Sequence, residues 1–339
     1  MSARFLTVVL ERAFNMRDGF GREIDYMRIS VIDSCNLNCY YCNPCDNNEH
    51  CHALNILSVK KVLCIVRAAT RLGIKHFRLT GGEPLLHPQL DEMVLQIKKI
   101  PGVSSVSLTT NAVLLAQHAK WLKEAGIDSI NVSLDTIDAS EYERITKKPL
   151  LEEVKHGINA AIECGIRVKI NVVLTPQTDV VALTRYVAKK GTDIRFIEMM
   201  PVGEGHTNGV EPYKKVIGTL SKLYGEPCRI NTEKTKEINS GNDKRKIPDN
   251  GPAEYYIFPE LGIRVGLIQA IHGKFCDTCN RIRVTADGRL MPCLGSSVTM
   301  DLVPDSWDFA DDVEKDCNSP GIKAAIKQSQ GVTILMIMQ

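Results

Sequence analysis

The chain has 339 residues, a net charge of +2 at neutral pH, 44% apolar residues and 24% charged residues. This length accommodates one large α/β domain and a smaller unit, with a core that needs no disulfide bonds. The small net charge gives no general attraction to nucleic acid or to membranes, and no apolar run reaches the length of a transmembrane helix. The sequence therefore predicts a cytoplasmic globular protein with no nucleic-acid partner and no membrane partner.

Segments of strand and helix character alternate between residues 24 and 200. The predicted strands are 25–32, 75–80, 104–110, 128–134, 166–174 and 193–199. The predicted helices are 58–72, 88–100, 113–125, 151–164 and 180–190, and several of them end at a glycine, as helices often do. Strands that alternate with helices in this way predict a parallel sheet, wound either as a barrel or as an open sheet.

The C-terminal part has a different organisation. Residues 231–251 are polar and charged and predict a linker. Residues 253–293 are rich in predicted strands, with a hairpin signal at Asp287-Gly288. The expected division is a first domain over 1–205 and a second over 206–339.

Three cysteines follow the first predicted strand at C-x3-C-x2-C spacing: Cys35, Cys39 and Cys42. Such a loop can supply three ligands of a [4Fe–4S] cluster, which leaves the fourth iron open for a small molecule. A structural zinc site is the alternative, because Cys45, Cys51 and His52 are near enough in sequence to complete one. The uneven placing of the twelve cysteines indicates metal binding in a reducing compartment rather than disulfide bonds.

Polar and apolar residues alternate along the predicted strands, although strands buried on both faces are usually apolar throughout. The polar set contains four cations: Arg28, Arg78, Lys169 and Arg195. If the apolar faces pack on the helices, these cations line one lumen, where burial is costly unless an anion binds. The pattern therefore predicts a polyanionic ligand. A half-solvated antiparallel sheet is the alternative explanation.

The run Thr80-Gly81-Gly82-Glu83-Pro84 ends the second predicted strand. Adjacent glycines let the backbone approach a ligand closely, and the carboxylate of Glu83 beside them could hold an ammonium group. The run lies at the same strand edge as the cysteine loop, which favours a binding role over a plain turn.

A second cysteine group has C-x2-C-x13-C spacing and consists of Cys276, Cys279 and Cys293. A zinc ribbon normally has two cysteine pairs, and the second pair is missing here. The group could instead hold a second cluster with one iron left free for substrate. Arg281 and Arg283 would add positive charge beside it.

The first cysteine group and the glycine run resemble the radical S-adenosylmethionine (SAM) superfamily. The sequence as a whole is similar to the GTP 3′,8-cyclase (MoaA) family. The second cysteine group carries this similarity together with runs at 21–30, 78–85, 109–111, 131–135, 169–173, 195–201 and 251–256. That family makes the first intermediate of molybdenum cofactor synthesis. The resemblance implies an incomplete TIM-like (β/α)6 barrel with a C-terminal α+β subdomain that carries a second Fe–S site.

The resemblance also implies the cofactors and the partners. The cofactors are two [4Fe–4S] clusters and SAM, and the substrate is GTP. An external electron donor and the next enzyme of molybdopterin synthesis are the expected partners, and a homodimer is a further expectation. The implied reaction is reductive cleavage of SAM, removal of the 3′ hydrogen of GTP and closure onto C8 of guanine.

Residue roles follow from the same resemblance, with the six cysteines of the two groups as iron ligands. SAM contacts are implied at Tyr41, Gly82, Ser133 and Met200, and Gly81 and Glu83 belong to the same glycine-rich motif. Nucleotide contacts are implied at Arg28, Arg78, Thr109, Lys169, Arg281 and Arg283, to which the lumen argument adds Arg195. Arg28, Arg281 and Arg283 are also the catalytic candidates, because an arginine near the reacting sugar could relay a hydrogen or an electron.

Two other interpretations stay open at this point. The family usually ends in a double glycine, whereas this sequence ends Met336-Ile337-Met338-Gln339. A cyclase-like paralogue that acts on a different nucleotide or nucleoside is therefore the first alternative. A zinc-stabilised nucleotide-binding protein without redox chemistry is the second.

Overall fold

The structure, a computed structural model, describes residues 17–18, 21–42, 55–201, 210–230, 251–295 and 298–302. Cys45, Cys51, His52 and the C-terminal tail from residue 303 lie outside the described residues, as does the predicted linker apart from Gly251. The expected division of the chain near residue 205 stays a prediction.

One sheet of twelve strands organises the described residues. In chain order β1 to β12 are Tyr26–Ser30, His76–Thr80, Ser105–Thr110, Ser129–Ser133, Val168–Leu174, Asp193–Glu198, Cys228–Ile230, Glu254–Ile257, Arg264–Ile268, Arg281–Val284, Arg289–Met291 and Met300–Asp301. Their order across the sheet is β12-β11-β10-β1-β2-β3-β4-β5-β6-β9-β8-β7. All six predicted strands are confirmed, and each lies within its predicted range.

Seven α-helices are present in the described part of the chain. In chain order α1 to α7 are Val59–Arg71, Leu90–Lys98, Leu115–Glu124, Ala139–Thr146, Leu151–Glu163, Val180–Lys189 and Gly218–Tyr224, and a π-helical turn at Tyr213–Ile217 precedes the last one. The five predicted helices are confirmed as α1, α2, α3, α5 and α6. The sequence did not predict α4 or α7.

Local sequence signals explain where several helices begin and end. Ser58, Asp138 and Asp179 cap α1, α4 and α6, since each side chain accepts a hydrogen bond from a backbone N–H of the first turn. Gly73 and Gly165, which follow α1 and α5, have φ values of 94° and 69°. This left-handed conformation suits glycine and lets the chain turn into the next strand.

Strands from both parts of the chain form one parallel array, β10-β1-β2-β3-β4-β5-β6-β9. The C-terminal strands β10 and β9 therefore extend the sheet at its two opposite sides, next to β1 and β6. Antiparallel strands complete each side, with β11 and β12 beyond β10, and β8 and β7 beyond β9. The antiparallel alternative for the alternating strands was wrong.

The apolar residues of each central strand face the helices and form the core. Met27, Ile29, Phe77, Leu79 and Val132 have no exposed surface. The intervening polar residues point to the other face of the sheet, which is curled around a cavity lined from β1 through β6, β9 and β10. No helix among the described residues is both long and apolar enough to cross a membrane.

Replacement of one core leucine tests this assignment of faces. Leu79, on β2, is 0% exposed, whereas Leu95, on α2, is 41% exposed. We expect Leu79→Ala to lower the free energy of unfolding by roughly 2–5 kcal/mol, because the substitution leaves a cavity in the core. The matched control Leu95→Ala should cost less than about 1 kcal/mol. Urea unfolding measures both, and equal losses would contradict the assignment.

Candidate active site

The two cysteine groups lie at opposite edges of the parallel array. Cys35, Cys39 and Cys42 follow β1 and therefore lie at the carboxyl edge. Cys276 and Cys279 precede β10, which is parallel to β1, so they lie at the amino edge. Cys293 joins them there because it follows β11, which runs antiparallel to β10. The polar lumen lies between the two groups.

Backbone hydrogen bonds hold the first cysteine loop in place. Gly82 N donates to Ile32 O and Glu83 N donates to Ser34 O, both at 2.7 Å. On the other side of the loop, Asn38 N donates to Thr146 O at 3.0 Å, at the end of α4. The cysteines are therefore carried by a loop that is attached to β2 and to α4.

The two glycines after β2 are required by this packing. A Cβ atom at Gly81 would lie 2.4 Å from Ile32 O, and one at Gly82 would lie 2.1 Å from Ser34 O. The close approach that the sequence predicted is therefore made first of all to the backbone of the cysteine loop. A contact of Gly81 or Gly82 with SAM stays a prediction.

The Glu83 carboxylate makes hydrogen bonds within the protein, and the ammonium contact that the sequence suggested stays a prediction. The carboxylate is 1% exposed, and it accepts hydrogen bonds from Thr110 Oγ1 at 2.6 Å, Asn111 N at 2.7 Å and Leu85 N at 3.0 Å. Burial raises its pKa to about 7. Glu83 thus joins the ends of β2 and β3, and Asn111 Nδ2 continues the network to Asn36 Oδ1 at 2.7 Å.

Tyr41 and Asp135 make a second connection to the cysteine loop. The Tyr41 hydroxyl donates to Asp135 Oδ2, and Val173 N donates to Asp135 Oδ1 at 2.7 Å. Burial raises the pKa of Asp135 to about 6. Tyr41, Asp135, Cys39 and Ser133 also line a small pocket at the carboxyl edge.

The chemistry of the cysteine side chains fits metal clusters better than disulfides. Cys35, Cys39 and Cys42 are free thiols, as are Cys276, Cys279 and Cys293. Burial, and then the nearby charges of Cys42, Asp135 and Cys35, raise the pKa of Cys39 to about 12. A bound cluster would keep these thiols deprotonated, because a metal deprotonates a thiol that coordinates it. Among the described residues, no group of His, Cys, Asp or Glu side chains is arranged to hold a single metal ion.

Two polar contacts fix the second cysteine group against the amino edge. Arg22 Nη1 donates to Cys276 O at 2.6 Å, and Arg22 is itself paired with Asp18 at 2.5 Å. Asn280 Nδ2 donates to Asp25 Oδ1 at 2.6 Å, just before β1. Burial, and then the charges of Cys293 and Cys279, raise the pKa of Cys276.

A cavity of about 440 Å³ occupies the lumen between the two cysteine groups. It is lined by Tyr26, Arg28, His76, Arg78, Ser104, Ser105, Ser107, Asp128, Ser129, Arg167, Lys169, Asn171, Arg195, Ile197, Gly251, Pro252, Ile268 and Arg281. The lumen of cations that the alternating strands predicted is therefore confirmed. Most of the lining lies toward the amino edge, since Tyr26, His76, Ser105 and Ser129 begin their strands.

Three arginines form a row across three neighbouring strands. Arg28 on β1 is in register with Arg78 on β2 and with Arg283 on β10. Burial, and then the charges of Arg283 and Arg78, lower the pKa of Arg28 well below its usual value. Burial and the charge of Arg281 lower the pKa of Arg283 to about 10. Like charges directly opposite each other destabilise a sheet, so the row indicates an anionic ligand.

Unpaired polar atoms inside the lumen support the same conclusion. On the lumen face, the buried atoms without a hydrogen-bond partner among the described residues include Arg28 Nε, Arg281 Nε, Arg195 Nη2, Thr109 Oγ1 and the amide of Asn131. Buried polar atoms are rarely left unpaired in proteins. The lumen is therefore built to surround a ligand that accepts several hydrogen bonds.

The remaining predicted residues have mixed positions. Arg28, Arg78, Lys169, Arg195 and Arg281 line the large cavity, and Tyr41 and Ser133 line the small one. Thr109, Arg283 and Met200 line neither cavity; Thr109 is in register with Asn131, and Met200 follows β6. Binding roles for all these residues stay predictions.

Several residues of the site were missed by the sequence analysis. Arg167 and His76 line the mouth of the cavity at the amino edge. His76 Nδ1 is 2.8 Å from Ser105 Oγ, and its ring stacks on Tyr26. Tyr255 of β8 contacts Lys169 from the side of the C-terminal strands. The alternation along β2 places His76 on the lumen face, and Tyr255 belongs to the run 251–256 that carries the family resemblance, but nothing in the sequence marked Arg167.

Comparison with protein families identifies the class of protein. Residues 29–182 match the radical SAM superfamily, and residues 192–305 match the family described as Molybdenum Cofactor Synthesis C. The fold also resembles SuiB of Streptococcus suis, solved with bound S-adenosylmethionine, with a TM-score of 0.59 and 14% identity over 88% of this chain and 67% of that one. Native anSMEcpe with bound AdoMet has a TM-score of 0.54 and 18% identity over 90% of this chain and 83% of that one. The chain is a radical SAM protein, a class that implies an iron–sulfur cluster and SAM.

Relatives at higher identity define the family more narrowly. A GTP 3′,8-cyclase of Clostridium perfringens is 37% identical over 282 residues, which is 82% of this chain and 83% of that protein. A GTP 3′,8-cyclase of Pelotomaculum thermopropionicum is 37% identical over 294 residues, 85% of this chain and 86% of that protein. The chain belongs to the GTP 3′,8-cyclase family.

Replacement of Arg28, the central arginine of the row, tests whether repulsion within the row lowers the free energy of unfolding. We expect Arg28→Met to raise the free energy of unfolding of the ligand-free protein by roughly 1 kcal/mol, because repulsion between buried cations is relieved. The control Lys98→Met removes a cation from a surface pair with Asp128 and should cost about 0–1 kcal/mol. Urea unfolding measures both, and a less stable Arg28→Met protein would argue against repulsion.

The raised pKa of Glu83 predicts a pH dependence of stability. The folded state keeps a proton up to about pH 7, whereas the unfolded carboxyl loses it near its usual pKa of 4.5. The folded protein therefore loses stability as the pH rises from 4.5 to 7, by up to roughly 3 kcal/mol. We expect Glu83→Gln to remove this component. Urea unfolding of both proteins between pH 5 and 8 measures it, and parallel pH profiles would contradict the prediction.

Proposed function

We propose that this protein cyclises GTP to (8S)-3′,8-cyclo-7,8-dihydroguanosine 5′-triphosphate, the first step of molybdenum cofactor synthesis. The observation that carries the proposal is the row of Arg283, Arg28 and Arg78, because Arg28 and Arg78 line a cavity that lies between two three-cysteine groups. A triphosphate supplies the negative charge that this row lacks, and guanidinium groups bind phosphate through strong charge-assisted hydrogen bonds. The names of the most similar relatives support the same substrate.

In this proposal the carboxyl edge holds the first cofactors. Cys35, Cys39 and Cys42 would hold a [4Fe–4S] cluster, and the pocket beside Tyr41 and Ser133 would hold part of SAM. When an external donor reduces the bound cluster, the cluster and SAM together supply a radical that removes hydrogen from the substrate. The chain's own contribution is to fix the loop through Asp135 and Glu83, so that the radical forms next to the lumen.

The amino edge would hold the substrate. Arg28, Arg78 and Lys169 bind phosphate oxygens, while Arg195 adds a donor whose Nη2 has no partner among the described residues. Cys276, Cys279 and Cys293 would hold a second [4Fe–4S] cluster at the amino edge, and Arg281 and Arg283 on β10 would add positive charge beside the substrate. The sugar then lies in the middle of the lumen, between the two cluster sites. Arg28, Arg281 and Arg283 are the proposed candidates for the final hydrogen or electron relay.

An anaerobic turnover assay tests the proposal. Protein reconstituted with iron and sulfide is mixed with SAM, dithionite and GTP, and 5′-deoxyadenosine and cyclised GTP are followed by mass spectrometry. We expect both products in equal amounts. Formation of 5′-deoxyadenosine with unchanged GTP would refute GTP as the substrate, and other nucleotides and nucleosides would then be tested in the same assay.

Iron content tests the assignment of the cysteines. We expect roughly eight irons per reconstituted chain, since each cubane cluster holds four. Triple replacement of Cys276, Cys279 and Cys293 by alanine should leave roughly four irons and a cluster that still responds to SAM in its electron paramagnetic resonance spectrum. Replacement of Cys35, Cys39 and Cys42 should also leave roughly four irons, but without the response to SAM. A colourless, zinc-containing protein would refute both cluster sites.

A further inference from the structure

Asn111, which follows β3, has no role in the function proposed so far. It lines the small pocket at the carboxyl edge together with Cys39 and Tyr41. Its amide nitrogen Nδ2 lies 3.8 Å from Cys35 Sγ, one of the three thiols of the first cysteine group. Sulfur is a weak acceptor that is larger than oxygen, so its hydrogen bonds are longer. Asn111 is therefore placed to donate to a sulfur that would bind iron.

The two hydrogens of this amide nitrogen have different acceptors. An asparagine NH₂ group carries two donors. One of them is used in the bond to Asn36 Oδ1 at 2.7 Å, and the other is left for Cys35 Sγ. The backbone N–H of Leu37 lies 3.5 Å from the same sulfur. Cys35 Sγ thus faces two N–H donors, one from its own loop and one from the turn after β3.

A neighbouring backbone group decides which end of the amide faces the cysteine loop. Val113 N donates to Asn111 Oδ1 at 3.0 Å. If the amide were turned over, Nδ2 would meet the N–H of Val113, and two donors would face each other. The backbone N–H of Asn111 is itself fixed, because it donates to Glu83 Oε2 at 2.7 Å. The hydrogen-bond network therefore directs Nδ2 toward Cys35.

The turn that carries Asn111 is strained at the next residue. Ala112 has a φ of 66° and no exposed surface. This left-handed conformation is unfavourable for alanine, since its Cβ atom crowds the following carbonyl oxygen. Ala112 N donates to Thr110 Oγ1 at 3.0 Å, and the turn brings Val113 N back to the Asn111 side chain. Strain of this kind persists where the surrounding structure holds it, often beside a functional group. The strained turn fixes the position of the Asn111 amide.

A hydrogen bond to a ligand sulfur affects how readily a cluster accepts an electron. Hydrogen bonds to the sulfur atoms are among the factors that set the reduction potential of an iron–sulfur cluster. The reduced cluster carries one more negative charge than the oxidised cluster, and a donor binds a more negative acceptor more strongly. An N–H group beside Cys35 Sγ therefore favours the reduced state.

We propose that Asn111 is a positioning residue that raises the reduction potential of the first cluster by donating a hydrogen bond to Cys35 Sγ. The residue acts through the cysteine and takes no part in the reaction of the nucleotide. The inference rests on the ligands of the first cluster in the proposed function, and it does not depend on GTP as the substrate.

A redox titration of the reconstituted full chain tests this role. Dithionite and mediator dyes set the potential under anaerobic conditions, and electron paramagnetic resonance follows both clusters, the first being identified by its response to SAM. We expect Asn111→Leu to lower the equilibrium constant for one-electron reduction of the first cluster roughly tenfold, the size of one hydrogen bond to a charged acceptor. For a one-electron couple this is a midpoint about 59 mV more negative. The second cluster should keep its midpoint and is the internal reference.

The variant Asn36→Ala is the matched control. It removes the acceptor of the other amide hydrogen, but it leaves the donation from Asn111 to Cys35 Sγ in place. We expect it to change the equilibrium constant for reduction less than about twofold, because no bond to a ligand sulfur is lost. Equal shifts in Asn36→Ala and Asn111→Leu would assign the effect to the cysteine loop as a whole and overturn the proposal. An unchanged midpoint in Asn111→Leu would also overturn it.

A second substitution keeps the test decisive if the leucine variant fails to fold. Asn111→Asp keeps an acceptor for Val113 N, but it replaces the NH₂ donor by a carboxylate oxygen. The midpoint of the first cluster should again become more negative, and an unchanged or more positive midpoint would contradict the role of Asn111.

The turnover assay with GTP separates this inference from the proposed function. A shifted midpoint in Asn111→Leu together with unreacted GTP in the wild-type protein refutes cyclisation and leaves the role of Asn111 standing. Normal cyclisation with an unchanged midpoint does the reverse. A wild-type protein without any cluster that responds to SAM refutes both.

Discussion

Repulsion between cations that share one face of a parallel sheet is the constraint on which this structure depends. Arg283, Arg28 and Arg78 are in register on three adjacent strands, and Lys169 and Arg195 lie on the same lumen face. Water screens such repulsion at a surface, but the lumen is largely enclosed. The apolar core on the other face supplies the stability that offsets this repulsion. In the proposed function, an anionic ligand on this face would relieve the repulsion between these cations.

The direction of the strands decides how the two cysteine groups can cooperate. Because the central strands are parallel, the loops that follow β1, β2, β3 and β4 lie at the carboxyl edge of the sheet. The turns before β10 and after β11 lie at the amino edge. Buried carboxylates at Glu83 and Asp135 hold the first edge in place, while Arg22 and Asn280 hold the second. Both reactive ends are thus attached to one rigid sheet, which keeps their separation fixed.

The alternation of polar and apolar residues was sufficient to predict the six helix-linked strands and the charged lumen, because both are local properties of a strand. The short helix α4 was missed because its eight residues directly follow a strand and its loop. Pairing of β10 with β1 joins segments more than two hundred residues apart, and no local pattern records it. The true partners of Glu83 depend on the position of β3, and sequence alone does not distinguish Tyr255 from its neighbour Tyr256. The contacts of these side chains are made between distant segments of the chain, so residue type alone does not predict them.

The placement of β10 and β9 has a consequence for how this protein can change over time. β10 and β9 make the backbone hydrogen bonds along the outer edges of β1 and β6. Without these partners each edge would be open, and an open strand edge readily pairs with other chains. The barrel is therefore not an independent module that recombination could join to a different C-terminal unit without loss of solubility. Any new partner unit has to supply two well-separated strands as well as a new substrate surface.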